Sequence, residues 1–163
     1  MNAGGCRVRP FEAGDAEAVS ALVAALNREE GYNRAVTPDA AELRAAFLGA
    51  DPAGFLLVAQ VAAAPVGYAT GHATYETEFA ARGFYMGYLY VAPGHRRRGV
   101  GRALVAAMAE EARARGGRFL WWTALPDNAG AHGFYRALGC RDEALRAFVL
   151  ADAAFDRVAG AAP

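Results

Sequence analysis

Three consecutive arginines, Arg96 to Arg98, are followed at once by Gly99-Val100-Gly101. The residues before them, Phe84 to Val91, are rich in tyrosine and other β-forming residues, which predicts a strand. The residues after them, from Val100 to about Arg115, place apolar side chains at helical spacing and end at a glycine pair, which predicts a helix. A basic, glycine-containing junction therefore connects a predicted strand to a predicted helix, the two kinds of element in an α/β fold.

This junction has the chemistry of a pyrophosphate site. The first turn of a helix leaves backbone N–H groups unpaired, and the helix dipole makes that end positive. Gly99 and Gly101 lack the Cβ atoms that would keep phosphate oxygens away from those N–H groups. Further positive charge comes from the arginines of the segment and of the first helical turn: Arg96, Arg97, Arg98 and Arg102.

Other interpretations of the segment are weaker. A dinucleotide-binding fingerprint needs a glycine at position 104, where the chain has Leu104. A P-loop needs Gly-Lys, and the chain has no lysine. The remaining alternative is a solvated arginine run at the start of an ordinary helix.

The rest of the chain predicts a mixed sheet with helices on both faces, an α/β layer fold, in a single domain over residues 1–163. The expected strands before the junction are Cys6–Pro10, Phe55–Val61 and Val66–Tyr75. A helix capped by Asp15 and a second one beginning at Thr37-Pro38 and running to about Leu48 lie between them. After the central helix we expect a strand at 119–123, a helix at 128–138, one or two strands within 140–150, and a last helix near 152–158.

Two motifs resemble those of a known family. Leu89-Tyr90-Val91, Pro93 and Arg96-x-x-Gly99-x-Gly101 are similar to motif A of the GNAT superfamily of N-acetyltransferases. The later series Asn128, Ala131, Phe134-Tyr135 and Leu138-Gly139 is similar to its motif B. The resemblance implies the GNAT-like acyl-CoA N-acyltransferase fold, with a mixed, largely antiparallel sheet, and acetyl-CoA as co-substrate without a metal.

The resemblance also implies residue roles. The strand end would pair with the pantetheine arm, and the junction would hold the pyrophosphate. Asn128 would hydrogen-bond near the pantetheine, and Tyr135 would protonate the departing thiolate. The complete expected cofactor-binding set is Leu89, Tyr90, Val91, Arg96, Arg97, Arg98, Gly99, Val100, Gly101, Arg102 and Asn128.

The proton acceptor is harder to assign. An alkylamine with a pKa near 10 is almost wholly protonated at pH 7, and freeing its lone pair costs about 4 kcal/mol. Many members of the family carry a glutamate four residues before the valine that matches Val91, but this chain has Gly87 there. Glu76 and Glu78, just past the third predicted strand and expected near the mouth of the cleft, are the substitutes. A water chain to bulk solvent is the alternative.

The acceptor is expected to be a small-molecule primary amine, such as a di- or polyamine or an amino acid, attacking directly in a ternary complex. The C-terminal layout resembles diamine acetyltransferase-like members, and Tyr75, Tyr85 and Tyr88 can line an aromatic pocket for a cation. Two alternatives stay open: a protein or peptide acetyltransferase, and a non-catalytic acyl-CoA-binding regulatory module.

Composition bears on partners and location. Seventeen basic residues balance 17 acidic ones, so the chain lacks the basic excess of nucleic-acid binders. It has no apolar run of about 20 residues, which argues against a membrane span. The first nine residues lack an apolar leader, so we expect a cytoplasmic protein. All basic residues are arginine, which with the many alanines indicates a GC-rich bacterial genome. The three histidines are too scattered for a metal site, and the family resemblance implies a homodimer.

Overall fold

The structure is a computed structural model that describes residues 5–31 and 36–160. The chain divides into two units, Met1–Thr123 and Ala124–Pro163. The strands of the first unit are β1 (Cys6–Pro10), β2 (Phe55–Val61), β3 (Ala64–Glu76), β4 (Ala81–Val91) and β5 (Leu120–Trp121), and its helices are α1 (Ala16–Glu29), α2 (Ala40–Leu48) and α3 (Val100–Ala114). The second unit contains α4 (Ala129–Arg136) and α5 (Asp152–Ala159).

The five strands form one mixed sheet in the order β1-β2-β3-β4-β5. β1 to β4 pair antiparallel with their neighbours, whereas β5 runs parallel to β4. The long β3–β4 pair is the centre of the sheet, and β5 pairs with it only through two residues. The predicted mixed, largely antiparallel sheet is confirmed.

The turn between β2 and β3 is tighter than expected. Val61 pairs directly with Ala64, so that only Ala62 and Ala63 form the loop, with φ values of 48° and 68°. Two positive φ values in a two-residue loop are the signature of a type I′ hairpin turn. The expected four-residue connection was wrong because alanine, unlike glycine or asparagine, does not indicate positive φ values in a sequence.

Helices cover both faces of the sheet. On one face α1 and α2 pack through Val19, Leu26 and Leu43 against Tyr68 and Tyr90 of the central strands. On the other face α3 packs closely, since Cβ atoms built on two β3 glycines would contact its buried side chains. These contacts are Gly67 to Leu104 at 3.4 Å and Gly71 to Met108 at 2.6 Å. The predicted layer arrangement is therefore confirmed for the first unit.

α1 begins after Asp15 as predicted, but without a capping hydrogen bond to its side chain, and the start of α2 differs from expectation. Asp15 precedes α1, but its carboxylate accepts hydrogen bonds from the Arg9 guanidinium at 2.6 and 2.8 Å and from the Glu12 N–H. The cap of α2 is Asp39, which accepts from the Glu42 N–H, rather than Thr37. Asp39 and Glu42 form a capping box, and this reciprocal pair of bonds determines the start of the helix.

The second unit lacks the predicted strands. Residues 140–151, all of which the structure describes, form neither helix nor strand, so the expectation of strands within Cys140 to Leu150 is wrong. Their apolar side chains, such as Phe148 and Val149, are exposed. A β-rich composition forms a strand only where another strand supplies hydrogen-bond partners. The last predicted helix is confirmed as α5.

Candidate active site

β4 carries a bulge where the motif resemblance places a catalytic glutamate. Tyr88 pairs with Thr70 and Met86 with Gly71, which leaves Gly87 as the additional residue of β4. A Cβ atom on Gly87 would lie 3.1 Å from Thr70 Oγ1. The Thr70 hydroxyl also accepts a hydrogen bond from the Tyr88 N–H. The bulge changes the direction of β4 at the point where it leaves β5.

Beyond this bulge one edge of β4 is open, in that no strand within residues 5–31 and 36–160 pairs with it there. β5 ends at Trp121, opposite Tyr85, so Leu89 and Val91 extend past it. The N–H groups of Tyr88 and Ala92 donate to Thr70 and Val66 of β3. Because successive backbone groups of a strand point to opposite edges, the N–H groups of Leu89 and Val91 face away from β3. The end of β4 therefore offers strand-like hydrogen-bond donors on the side where β5 has ended.

The start of α3 follows directly. Gly99 is the N-cap and has a φ of 82°, a left-handed conformation that glycine adopts without strain. The first N–H with an intrahelical partner is that of Ala103, which donates to Gly99 O. The N–H groups of Val100, Gly101 and Arg102 precede it and have no carbonyl to reach within the helix. This end of α3 is suited to bind an anion.

The four arginines of the segment Arg96 to Arg102, called here the arginine segment, differ in their surroundings. The Arg96 side chain donates to the Val91 carbonyl at 2.7 Å and to both carboxylate oxygens of Glu29 at 2.9 and 2.6 Å. Arg97, Arg98 and Arg102 are exposed, and among residues 5–31 and 36–160 none of them forms an ion pair. These three cations are therefore available to a phosphate ligand.

An aromatic row lies on the sheet face that also carries α1. The His72 and Tyr85 rings are 5.3 Å apart, and the Tyr85 and Trp121 rings 4.5 Å. Tyr88, opposite Thr70, is on the same face and half exposed. Tyr75 is on the other face, since it lies three residues from His72 along β3. The structure thus brings Tyr85 and Tyr88 onto one surface but not Tyr75.

Glu76 and Glu78 are remote from the end of β4. Glu76 is seven residues along β3 from Ala69, the partner of Leu89, which is about 23 Å at ~3.3 Å per residue. Its carboxylate accepts a hydrogen bond from the Thr74 hydroxyl, and Glu78 is exposed in the turn that follows. The expectation that both lie near the mouth of the cleft was wrong, because the hairpin carries them to its distal tip.

The second unit holds the motif B residues. Asn128 is the N-cap of α4, where its Oδ1 accepts from the Ala131 N–H at 3.0 Å. Tyr135 is half buried in the last turn of α4, with its ring 5.2 Å from that of Phe134. The helix thus begins and ends close to the residues that the motif predicts.

Comparison with known proteins identifies the family. The sequence profile of the Acetyltransferase (GNAT) family matches residues 20–140, which include the bulged strand, the arginine segment and α4. The chain belongs to this family. It is accordingly an acyl-CoA-dependent N-acetyltransferase, and members of this family use acetyl-CoA as co-substrate.

Named relatives of this GNAT chain act on different amines. Thialysine N-epsilon-acetyltransferase from Bos taurus is 30% identical over 143 aligned positions, covering 83% of this chain and 84% of the relative. The aminoglycoside acetyltransferase HMB0005, from an uncultured soil metagenomic sample, is 25% identical with a TM-score of 0.70 over 93% of this chain and 100% of the other. A ribosomal-protein-alanine N-acetyltransferase from Brucella melitensis, at 19% identity and a TM-score of 0.71 over 88% and 97%, shares the fold.

Three residues that contact Arg96 or Tyr85 were not predicted from the sequence: Glu29, His72 and Trp121. Glu29 contacts Arg96 across 67 residues, and the two aromatic side chains meet Tyr85 from neighbouring strands. Strand register is the signal for the two aromatic contacts, and it includes the bulge at Gly87, whereas the contact between Glu29 and Arg96 has no such signal. Among the described residues, no cluster of three or more metal-ligating side chains occurs. No helix within the same residues is long and apolar enough to cross a bilayer.

Proposed function

We propose that this acetyltransferase transfers the acetyl group of acetyl-CoA to a primary amine of a small molecule, by direct attack in a ternary complex. The observation that carries the proposal is the open edge of β4 followed immediately by the unpaired N–H groups of α3. The edge of β4 can pair with an extended amide-containing chain, and the start of α3 can bind a diphosphate.

The donor set fits acetyl-CoA. The N–H groups of Val100, Gly101 and Arg102 would face the diphosphate oxygens, with Arg97 and Arg98 adding positive charge without competing ion pairs among the described residues. The N–H groups of Leu89 and Val91 would hydrogen-bond the pantetheine amides and polarise the acyl carbonyl. Acetyl-CoA supplies a thioester, which is an acyl group already activated toward amines.

The aromatic row supports a cationic acceptor. Tyr85, Tyr88 and Trp121 lie on one face of the sheet, where Tyr88 and Trp121 are exposed, and aromatic rings attract alkylammonium groups. The similarity to a thialysine N-epsilon-acetyltransferase supports a side-chain amine of a small molecule, such as an amino acid or a di- or polyamine. HMB0005, an aminoglycoside acetyltransferase, also supports a small polyamine-like acceptor.

Two protons must move during the reaction. The ammonium form of the acceptor must lose one before attack. His72, three residues along β3 from Ala69 or about 10 Å, is nearer to the open edge than Glu76 and Glu78, which would have to act through water. In this proposal Tyr135 donates a proton to the departing thiolate and regains the second proton that the nitrogen of the tetrahedral intermediate loses, and Asn128 contacts the pantetheine arm.

A thiol-release assay tests the function. Purified protein and acetyl-CoA are mixed with amino acids bearing side-chain amines, polyamines and aminoglycosides in one panel and with peptides in another. We expect CoA thiol release with members of the first panel and acetylation on nitrogen by mass spectrometry. Release with peptides alone would instead support a protein or peptide acetyltransferase.

Absence of release with either panel, despite CoA binding by calorimetry, would favour a regulatory acyl-CoA-binding module.

Comparison of His72→Gln with Glu76→Gln and Glu78→Gln identifies the residue that accepts the proton. A selective loss of turnover in His72→Gln that high pH restores would identify His72 as the group that accepts the proton of the ammonium. The expected homodimer is measured by sedimentation of the same preparation.

A further inference from the structure

Glu29, the last residue of α1, is the acceptor of three hydrogen bonds. Two come from Arg96 Nη2, at 2.9 Å to Oε1 and 2.6 Å to Oε2, and one from the Tyr90 hydroxyl at 2.7 Å. Tyr90 is a buried residue of β4 that packs in the core with α1. The carboxylate therefore connects a helix end, a core strand and the first residue of the arginine segment.

The Arg96 guanidinium is turned toward the protein by these contacts. Its Nε donates to the Val91 carbonyl, and its Cζ lies 5.3 Å from the centre of the Tyr90 ring. Both Nε and Nη2 are thus occupied by β4 and Glu29. Arg96 differs in this respect from Arg97 and Arg98, which have no carboxylate partner among the described residues.

The Glu29 carboxyl is ionised at neutral pH. Burial raises its pKa, but the hydrogen bonds from Tyr90 and Arg96 and the charge of Arg96 outweigh this effect, so the net pKa lies below its ordinary value. A charged acceptor of three hydrogen bonds holds its donors more strongly than a neutral one. The connection is therefore present at neutral pH.

The segment held in this way has a strained backbone. Arg97 has a φ of 61°, a left-handed conformation that costs a non-glycine residue about 1 kcal/mol or more. Arg97 is followed within two residues by Gly99, which is also left-handed. A strained loop persists only where its surroundings fix it. Arg96, bound at one end of this loop, is the side chain that supplies such a fixation.

We propose that Glu29 is a positioning residue for acetyl-CoA: by holding Arg96 it keeps the loop from Arg96 to Gly99 in the conformation that presents the N–H groups of α3 to the diphosphate. Glu29 does not contact the ligand in this scheme. It lowers the conformational entropy that the loop would otherwise lose when acetyl-CoA binds, because the loop is already in its bound form. The inference rests on the proposed diphosphate site, and it separates Arg96 from the arginines that face the phosphates.

Steady-state kinetics of Glu29→Gln and Glu29→Ala test the inference. We expect the KM for acetyl-CoA to rise by about tenfold, equal to about 1.4 kcal/mol, while kcat and the KM for the amine change less than twofold. Glu17→Gln is the matched control, since it removes an exposed arginine–carboxylate pair of the same 2.6 Å length at the other end of α1. Glu29→Gln keeps the side-chain volume and an oxygen acceptor, so it remains informative if Glu29→Ala does not fold.

A shortened donor distinguishes positioning from general damage. S-acetylpantetheine has the thioester and the pantetheine arm but no diphosphate, so Glu29→Gln and wild type should use it with equal kcat/KM. An equal loss with both donors, or an unchanged acetyl-CoA KM in the folded variants, would overturn the inference. Calorimetry with CoA separates the two levels: failure of wild type to bind CoA refutes the diphosphate site itself, whereas equal binding by wild type and Glu29→Gln refutes only the role of Glu29.

Discussion

Gly83 of β4 lies directly beneath the ring of Phe119, so that a Cβ atom built on Gly83 would stand 2.2 Å from two of the ring carbons. Phe119 precedes β5, and its carbonyl accepts the Phe84 N–H at 3.1 Å. The same ring packs at a tilt of 55° against that of Phe79, with a centroid distance of 4.7 Å. The short pairing between β4 and β5 therefore depends on the absence of a side chain at position 83.

Gly83→Ala should destabilise the fold, because the phenyl ring or the backbone must move to admit one methyl group. We expect a loss of about 1–3 kcal/mol in the free energy of unfolding, measured by urea denaturation. Gly14→Ala is the control, since a Cβ there meets no atom within 4 Å. Equal stability of the two variants would show that Phe119 has an alternative position at no cost.

Gly99→Ala should weaken acetyl-CoA binding. Both Gly99 and Gly116 have a φ of 82°, and they flank the two ends of α3. Alanine at either position therefore costs about 1–2 kcal/mol in stability, but only Gly99 adjoins the proposed diphosphate site. We expect the KM for acetyl-CoA to rise roughly tenfold or more in Gly99→Ala and to stay unchanged in Gly116→Ala. Similar KM values would argue against a diphosphate at the start of α3.

Tyr135→Phe should lower turnover without affecting the affinity for acetyl-CoA. Loss of a general acid reduces the rate by about 10²-fold or more, and the phenyl ring preserves the contact with Phe134. The measurement is kcat at saturating concentrations of both substrates, with Tyr75→Phe as an exposed control. An unchanged kcat would remove Tyr135 from the proposed proton transfer.

Asp15→Asn should destabilise the protein more at neutral pH than in acid. The hydrogen bonds from Arg9 lower the pKa of Asp15, and although burial acts in the opposite direction the net pKa is below its ordinary value. A group of this kind stabilises the fold above its unfolded pKa of about 3.9, and the contribution is lost as the pH falls through the folded pKa. We expect a deficit of about 1.5–3 kcal/mol at pH 7, the usual contribution of hydrogen bonds to a charged group.

Urea denaturation at pH 7 and at pH 3 measures this difference, and the deficit should be smaller at pH 3, which lies below the unfolded pKa. Asp51→Asn, at an exposed position, serves as the control. A deficit of equal size at both pH values would mean that the carboxylate charge is not what stabilises the Arg9 contact.

The central part of the fold was predictable because its boundaries have local causes. α3 begins after Gly99 and ends one residue before Arg115, where the glycine pair and the helical spacing had placed it. β2 has the predicted bounds, since its apolar run is continuous. In these elements local propensity and tertiary packing agree.

The features that the sequence did not predict are set by distant partners. Residues 140–150 have strand-like composition, but composition alone does not provide a pairing strand. Glu76 was expected just past the third strand but is the last residue of β3, and its distance from Leu89 follows from the length of the hairpin and its register. The contact between Glu29 and Arg96 spans 67 residues and has no local sequence signature.

The early end of β5 also determines how fast individual protons of β4 exchange with solvent. Tyr88 and Tyr90 direct their N–H groups to β3, whereas those of Leu89 and Val91 point to the edge that β5 has left. In deuterated buffer the protein without ligand should therefore show alternating slow and fast amides along four consecutive residues. Pantetheine bound at this edge would slow the fast pair alone, so nuclear magnetic resonance can detect occupancy of the strand before any acceptor is known.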